Sequence, residues 1–146
     1  MIVRFTLRPD QGDPSGFDLG YMAWQWELGE TSSAGRIPDQ GMVIHISVVL
    51  LLDTLCVLLQ GRSTTASFAG VDSSFQLTFR ATKAGISVTS ERGKLAVVSR
   101  AALTATVLRA AEELADTTLE VLPSHDGVRD DYTAALNRFR SMARPL

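Results

Sequence analysis

The sequence is poor in the side chains that most often perform catalysis or bind metals. It contains one cysteine and two histidines in 146 residues. Because Cys56 is alone, the chain can form neither an internal disulfide framework nor a cysteine-based zinc site. Two histidines leave the usual metal sites to be built mainly from carboxylates. We therefore predict no metal and no cofactor, and the reducing cytoplasm as the location.

Sequence motifs that identify enzymes are missing as well. The chain has no Walker loop, no GxGxxG fingerprint, no GxSxG elbow, no HExxH pair and no calcium loop. Its first residues lack the apolar core and cleavage site of a secretory signal. These absences limit the chemistry without assigning a function.

Length and composition are those of an ordinary globular domain. Hydrophobic residues make up 45% of the chain and charged residues 21%, with a formal net charge of −2. Such a balance argues against nucleic-acid binding, which normally requires a basic face. We predict one domain over residues 1–146, long enough to bury about 68–70% of the surface that the unfolded chain exposes.

The longest apolar run, residues 42–60, is the segment onto which the rest of the chain should pack. Asp53 near its middle, together with His45 and other polar residues, brings the balance for membrane insertion close to zero. A spanning helix needs about 20 predominantly apolar residues. The run is therefore predicted to be a buried core segment, with no membrane association.

Within this run the pattern changes from alternation to a leucine-rich stretch. Residues 42–46 alternate as in a strand, whereas the remainder favours a helix. We predict an extended segment to about Ile46 and a helix from Ser47, acting as N-cap, to Gln60. Gly61 just beyond it is suited to closing the helix.

Periodicity predicts the other elements. Alternating apolar and polar residues indicate strands near 2–8, 21–28, 74–82, 86–88 and 95–98. Helical spacing follows Ser99, an N-cap candidate, and resumes after the turn at 124–127. The order β-β-(β)-α-β-β-β-α-α predicts an α+β fold, a mostly antiparallel sheet with helices packed on one face.

Trp24 and Trp26 fall on one face of the predicted strand at 21–28, as does Leu28. Two neighbouring tryptophans could stack on a ligand or a base. Large aromatic residues on an otherwise apolar face more often belong to the core. We therefore predict that both indoles are buried.

Negative charge is concentrated early in the chain. Five acidic residues and no basic residue occur between Pro9 and Gly35. They are Asp10, Asp13, Asp18, Glu27 and Glu30. A pair of solvated loops is the simplest interpretation. The alternative is a negative surface that binds a basic protein, which makes these five the candidate partner-binding residues.

His45, Asp53 and Cys56 are the closest approach to a catalytic set, since a thiol nucleophile needs a base and an orienting acid. If 42–60 were one helix, they would share a face, but His45 and Cys56 would be about 16 Å apart along its axis. A structural role for Cys56 is therefore preferred. Asp53 is expected to pair with an arginine. The candidates are Arg4, Arg80 and Arg100.

Two further polar positions carry weaker signals. His125 and Asp126 stand together in the turn at 124–127 and could act as an acid–base pair. Because nothing holds adjacent turn residues in a fixed geometry, an N-cap role for Asp126 is preferred. Asp72 precedes the strand at 74–82, where turn formation explains a polar residue equally well.

Two functional hypotheses remain open. The first is a small non-catalytic cytoplasmic interaction protein, such as an accessory, inhibitor or immunity-type protein that binds another protein. The alternative is a small enzyme or ligand-binding domain that uses Asp53, Asp72 or the His125–Asp126 turn. The expected partner is another protein, of basic character if the acidic segment binds it. Homo-oligomer formation stays open.

Overall fold

Eight strands and three α-helices make up the computed structural model, which describes residues 1–143. The strands are β1 (Ile2–Leu7), β2 (Leu19–Trp26), β3 (Gly29–Ser32), β4 (Met42–Val43), β5 (Thr65–Ala69), β6 (Gln76–Thr82), β7 (Gly85–Ser90) and β8 (Gly93–Val98). The helices are α1 (Ile44–Leu59), α2 (Arg100–Thr118) and α3 (Gly127–Ala143), with a 3-10 turn at Leu119–Val121. The predicted α+β class is confirmed.

The strands form two antiparallel sheets where the sequence pattern suggested one. The first sheet has the order β1-β2-β3, with β4 also paired to β2, and the second has the order β5-β6-β7-β8. Every strand pair within residues 1–143 is antiparallel. The antiparallel prediction is thus confirmed.

Strands β3 and β5 were missed because their own sequences give almost no strand signal. Each has a single buried side chain, Thr31 in β3 and Phe68 in β5, among small or polar residues. Neither segment is among the strands that alternation predicts. Their conformation follows from pairing with a neighbouring strand, which strand propensity alone does not report.

A β-bulge links the two sheets. The β7–β8 register slips next to Val88, and Leu95 is the extra residue in β8. The carbonyl oxygen of Leu95 accepts a hydrogen bond of 3.0 Å from the backbone N–H of Leu28, which follows β2. Leu28 is 61% exposed, so its predicted place on the buried face was wrong. Leu28 lies in the turn between β2 and β3, and its backbone bonds to β8 there.

Trp24 lies at the centre of the core between the sheets. Its ring centroid is 6.1 Å from that of Trp26, 6.5 Å from Phe5 and 5.9 Å from Phe79 in the second sheet. Trp24 is 0% exposed and Trp26 is 6% exposed. The prediction that both indoles are core residues is confirmed.

The N-cap of helix α1 lies four residues before the predicted Ser47, so residues 44–46, predicted to be extended, are helical. This N-cap is Val43, which makes no side-chain capping bond. The backbone N–H of Ile44 instead donates to the carbonyl of Asp18, 3.1 Å away. Ser47 is not the cap: it is buried, and its Oγ accepts a hydrogen bond of 2.9 Å from Val71 N–H. The backbone carbonyl of Asp18, in a loop distant in sequence, therefore takes the place of a local side-chain cap.

The end of α1 was predicted correctly. Gly61 has φ of 73° and donates to the Leu58 carbonyl, and Arg62 N–H donates to the Val57 carbonyl, the two bonds of a Schellman motif. Most of the helix is buried, which confirms it as a core segment. Within residues 1–143 no helix is both long and apolar enough to cross a membrane.

Helices α2 and α3 complete the core around α1. Ser99 caps α2 as predicted, since its Oγ accepts a 3.1 Å hydrogen bond from Ala102 N–H. The Tyr132 hydroxyl of α3 donates to the Ala111 carbonyl of α2 at 2.7 Å. Helix α3 packs against both α1 and α2. The start of α1 and the end of α2 meet where His45 contacts Thr118.

Candidate functional site

A cavity of about 150 Å³ lies where residues 10–18, here called the acidic loop, meet the start of α1 and the end of α2. Its lining includes Asp10, Gln11, Asp18, His45, Thr118 and Val121. The cavity thus brings together two acids of the early segment and a histidine that the sequence analysis treated separately. It is the best candidate site in the described part of the chain.

His45 is fully buried in the wall of this cavity. Its Nε2 is 2.8 Å from the Thr118 hydroxyl, which also donates its single proton to the carbonyl of Leu114. The hydroxyl can therefore only accept from His45, which places the ring proton on Nε2. Nδ1 then carries a lone pair, and it has no hydrogen-bond partner among residues 1–143.

Burial lowers the pKa of His45, and the nearby carboxylates of Asp18 and Asp126 oppose this shift only in part. The ring packs edge-on against Tyr132, with centroids 5.8 Å apart. Burial also raises the pKa of Tyr132. His45 is consequently neutral near pH 7, and its Nδ1 is a buried acceptor without a partner in the described residues.

Gln11 fixes the conformation of the acidic loop. Its amide nitrogen donates to the carbonyls of Arg8 and Leu19, at 2.6 and 2.7 Å, and its amide oxygen accepts from Leu19 N–H at 2.7 Å. Asp18 accepts a 3.1 Å hydrogen bond from Ser15 N–H. Asp10 adopts a left-handed conformation with φ of 60°. The loop is held by its own polar side chains.

Asp126 attaches the loop to α3. Its carboxylate accepts hydrogen bonds from Gly16 N–H at 2.8 Å and from Val128 N–H at 3.0 Å. These two backbone donors hold the pKa of Asp126 below its usual value. The bond to Val128 is that of an N-cap, so the predicted capping role is confirmed. His125 is exposed in the preceding turn.

Arg8 also lines the cavity, but its guanidinium already interacts with Tyr21 and Asp39. Its Nε donates to the Tyr21 hydroxyl at 2.8 Å, and its guanidinium lies 5.2 Å from the centroid of the Tyr21 ring. The same guanidinium forms an ion pair with Asp39. The negative charge of the acidic loop is therefore not cancelled by Arg8.

The five acidic candidates separate into two groups. Asp10, Asp13 and Asp18 lie in the acidic loop before β2, whereas Glu27 and Glu30 lie beyond its other end. Eight residues of strand put roughly 25 Å between the groups. Glu30 lines another cavity, of about 300 Å³, whose wall also contains Arg36 and Arg92. Of the five, Asp10 and Asp18 line the His45 cavity.

Asp53 and Cys56 lie elsewhere on α1. Asp53 forms an ion pair of 3.0 Å with Arg138 of α3. The predicted partners, which were Arg4, Arg80 and Arg100, were therefore wrong. The packing of α1 along α3 selects Arg138, and the sequence pattern does not encode that choice. Burial raises the pKa of the partly buried Cys56 thiol, which disfavours the reactive thiolate.

His45 and Cys56 are both on α1, so about 16 Å of helix axis separates them and His45 cannot activate the thiol. Asp72 is exposed in a turn, with φ of 58°, where Ser73 N–H donates to the Gly70 carbonyl. Within residues 1–143 no cluster of three or more His, Cys, Asp or Glu side chains could hold a metal ion.

Sequence reasoning missed Gln11 and Thr118. A glutamine in a polar loop and a threonine near a helix end carry no distinctive signal. It also did not single out Phe17 and Val121, which are 70% and 58% exposed beside these elements. An aromatic residue within an acidic loop could have been flagged as a binding candidate, because aromatic residues are enriched at interfaces.

Comparisons of the chain with protein-family models, with curated proteins and with solved structures gave no match. The functional argument therefore depends on the residues of this site.

Proposed function

We propose that this protein is a small, non-catalytic, cytoplasmic interaction module whose acidic loop binds a basic protein. The observation that carries the proposal is the grouping of Asp10, Asp13 and Asp18 in one structured loop. Arg8 beside them is paired with Asp39, so the loop keeps a net negative charge. Such a surface guides an oppositely charged partner and raises the association rate.

The loop also presents an apolar anchor. Phe17 is 70% exposed between Gly16 and Asp18, and Val121 is 58% exposed in the lining of the adjacent cavity. Interface hot spots are typically large, rigid side chains surrounded by polar residues. An exposed aromatic ring in an acidic loop would fit a partner surface on which basic residues surround an apolar pocket.

The hydrogen bonds within the loop support the same role. Gln11 closes the loop onto its own ends, and Asp126 fastens Gly16 to the start of α3. A loop that is already ordered loses less conformational entropy on binding than a free one. These bonds therefore favour affinity for a partner.

The alternative of an enzyme has less support, because its candidate residues are engaged elsewhere. Asp53 is paired with Arg138, and Asp126 accepts two backbone hydrogen bonds. Asp72 and His125 are exposed in two different turns. No observation assembles these residues around one reacting atom, so catalysis at these positions is not proposed.

The test compares association rates for a partner captured from the native host. The variant is Asp10→Asn with Asp13→Lys, because Asp18 also holds the loop backbone. The matched control, Asp72→Asn with Glu91→Lys, makes the same change in net charge at exposed sites outside the acidic loop. Asn tolerates the left-handed backbone that Asp10 and Asp72 share.

Association should slow several-fold in the loop variant and stay unchanged in the control. The wild-type rate should fall with added salt, because the Debye length drops from about 10 Å at 0.1 M to about 3 Å at 1 M. A rate that is independent of salt and of the loop variant would mean that these acids only keep the surface hydrated.

A further inference from the structure

We propose that protonation of His45 releases the acidic loop from the start of α1, so that the loop is closed near pH 7 and opens more readily as the pH falls. The release itself depends only on the fold. Its consequence for binding rests on the proposed function, because an opened loop loses the order that favours the partner. Acid should therefore weaken the complex.

The closed loop covers His45 on the side of the cavity. The cavity lies between loop residues such as Gln11 and Pro14 and the first turn of α1. His45 lines it but is 0% exposed. The loop is attached to the same helical turn, where the Ile44 N–H donates to the Asp18 carbonyl at 3.1 Å. Movement of the loop away from α1 would therefore bring water to the ring.

The closed arrangement has no acceptor for a second ring proton. His45 Nε2 already contacts the Thr118 hydroxyl at 2.8 Å, and the buried Nδ1 has no hydrogen-bond partner in residues 1–143. A proton on Nδ1 would create a buried charged donor without an acceptor, which is a costly arrangement in a protein interior. Protonation becomes favourable only when the ring reaches water or a carboxylate, and both require the surroundings to move.

Ionisable groups surround the ring, but within the described residues none forms a hydrogen bond to it. They are Asp10 and Asp18 of the acidic loop, Arg8 after β1, Asp126 before α3 and Tyr132 in α3. The lining residues from the end of α2, such as Thr118, are uncharged. Burial lowers the pKa of His45, and the carboxylates of Asp18 and Asp126 oppose this only in part.

The two opposing carboxylates also hold the loop closed. Asp18 accepts a hydrogen bond from Ser15 N–H at 3.1 Å, and Asp126 accepts one from Gly16 N–H at 2.8 Å. Moving either carboxylate to a protonated ring would loosen a bond that orders the loop. Protonation of His45 and closure of the loop therefore oppose each other.

Proton linkage gives the size of the effect. An exposed histidine titrates near its ordinary value of about 6.5, so the open state binds a proton that the closed state resists. If the closed ring stays neutral, a fall from pH 7.5 to pH 5.5 raises the equilibrium constant for opening about tenfold. Partial protonation of the closed ring reduces this factor to about five. Free carboxyl groups titrate near about pH 4, below this range.

Amide hydrogen exchange of the whole protein, followed by NMR at pH 7.5, 6.5 and 5.5, measures the opening. The reporters are the N–H groups of Gly16 and Ile44, which bond to Asp126 and to the loop. After correction for intrinsic exchange, their opening constants should rise about five- to tenfold between the highest and lowest pH. The control is the N–H of Ala81, which lies at the other end of α1 and should show no such rise. Constant loop exchange, or an equal rise at Ala81, would overturn the inference, since an equal rise indicates global unfolding.

The two histidine variants assign the titrating group. His45→Gln should lose the pH dependence of loop exchange, because its amide can still donate to Thr118 but does not titrate. His125→Gln removes the exposed histidine and should behave as the wild type does. Retained pH dependence in His45→Gln would refute the assignment. If that variant does not fold, the wild-type comparison of Gly16 and Ile44 with Ala81 still decides.

A captured partner separates this inference from the proposed function. Its dissociation from the wild type should quicken between pH 7.5 and pH 5.5, and this change should be smaller for His45→Gln. A partner that responds to Asp13→Lys but shows the same pH dependence with both proteins would keep the proposed function and reject the regulation. Loop exchange that follows His45, together with a partner unaffected by the loop charges, would support the release and reject the proposed function.

Discussion

Acidification should destabilise this protein in a pH range where few side chains titrate, and His45 is the reason. The ring is buried, and burial lowers its pKa in the folded state. The unfolded chain exposes the same ring, which then titrates near its ordinary value of about 6.5. Below that pH the unfolded state binds a proton that the folded state resists, so stability is lost as the pH falls.

The expected loss follows from the unfolded state. If the folded ring stays neutral, protonation of the unfolded ring between pH 7.5 and pH 5.5 lowers the free energy of unfolding by about 1.4 kcal/mol. This is an upper bound, because Asp18 and Asp126 partly offset the cost of charging the folded ring. For a chain of this length it corresponds to a fall in melting temperature of about 3–6 °C.

Urea unfolding followed by the fluorescence of the buried tryptophans measures this change at pH 7.5, 6.5 and 5.5. The chain has two histidines, which gives a matched pair of variants, His45→Gln and His125→Gln. His125→Gln should keep the wild-type pH dependence, because His125 is exposed in the turn before α3. His45→Gln should lose it, whatever its stability at pH 7.5. An unchanged pH dependence in His45→Gln would refute the reasoning.

Three further predictions concern stability and are measured by equilibrium urea unfolding. Trp24→Ala should lower the free energy of unfolding by about 3–5 kcal/mol, because it empties the space between the two sheets; a loss below about 1 kcal/mol would place the indole outside the core. Gly61→Ala should lower the free energy of unfolding by about 1 kcal/mol, because residue 61 has a φ of 73°. Gly127→Ala lies at a helix start with open space around it and should be neutral or stabilising. Equal effects of the two substitutions would contradict the backbone argument. Asp53→Ala should cost less than about 1 kcal/mol, because its ion pair with Arg138 is largely exposed; a larger loss would mean a more buried pair.

Several features of the fold could be predicted because their signals are local. Alternation identified β1 and β2, helical spacing identified α2 and α3, and Ser99 and Gly61 marked helix ends through their own side chain or backbone. In each case the physical cause lies within a few residues of the effect. The α+β class follows from the order of these elements.

The start of α1 could not be predicted, because its cause is distant. Ser47 has the chemistry of an N-cap, and nothing nearby in the sequence argues against that role. The carbonyl of Asp18 satisfies the first N–H of the helix instead, and Ser47 bonds to Val71. Strands β3 and β5 were missed for the same reason, since pairing with neighbours stabilises them more than composition does.

The candidate site shows the same division. The sequence alone determined that acidic residues are concentrated early in the chain, that His45 belongs to a buried apolar run and that recognisable catalytic motifs are missing. Only the tertiary structure decided that Asp10 and Asp18 line a cavity with His45, and that Glu27 and Glu30 lie apart from them. The tertiary structure also determined which ring nitrogen of His45 carries the proton, because Nε2 contacts Thr118 at the end of α2. Periodicity reports which face of an element is buried, but the partner on that face depends on how distant segments pack.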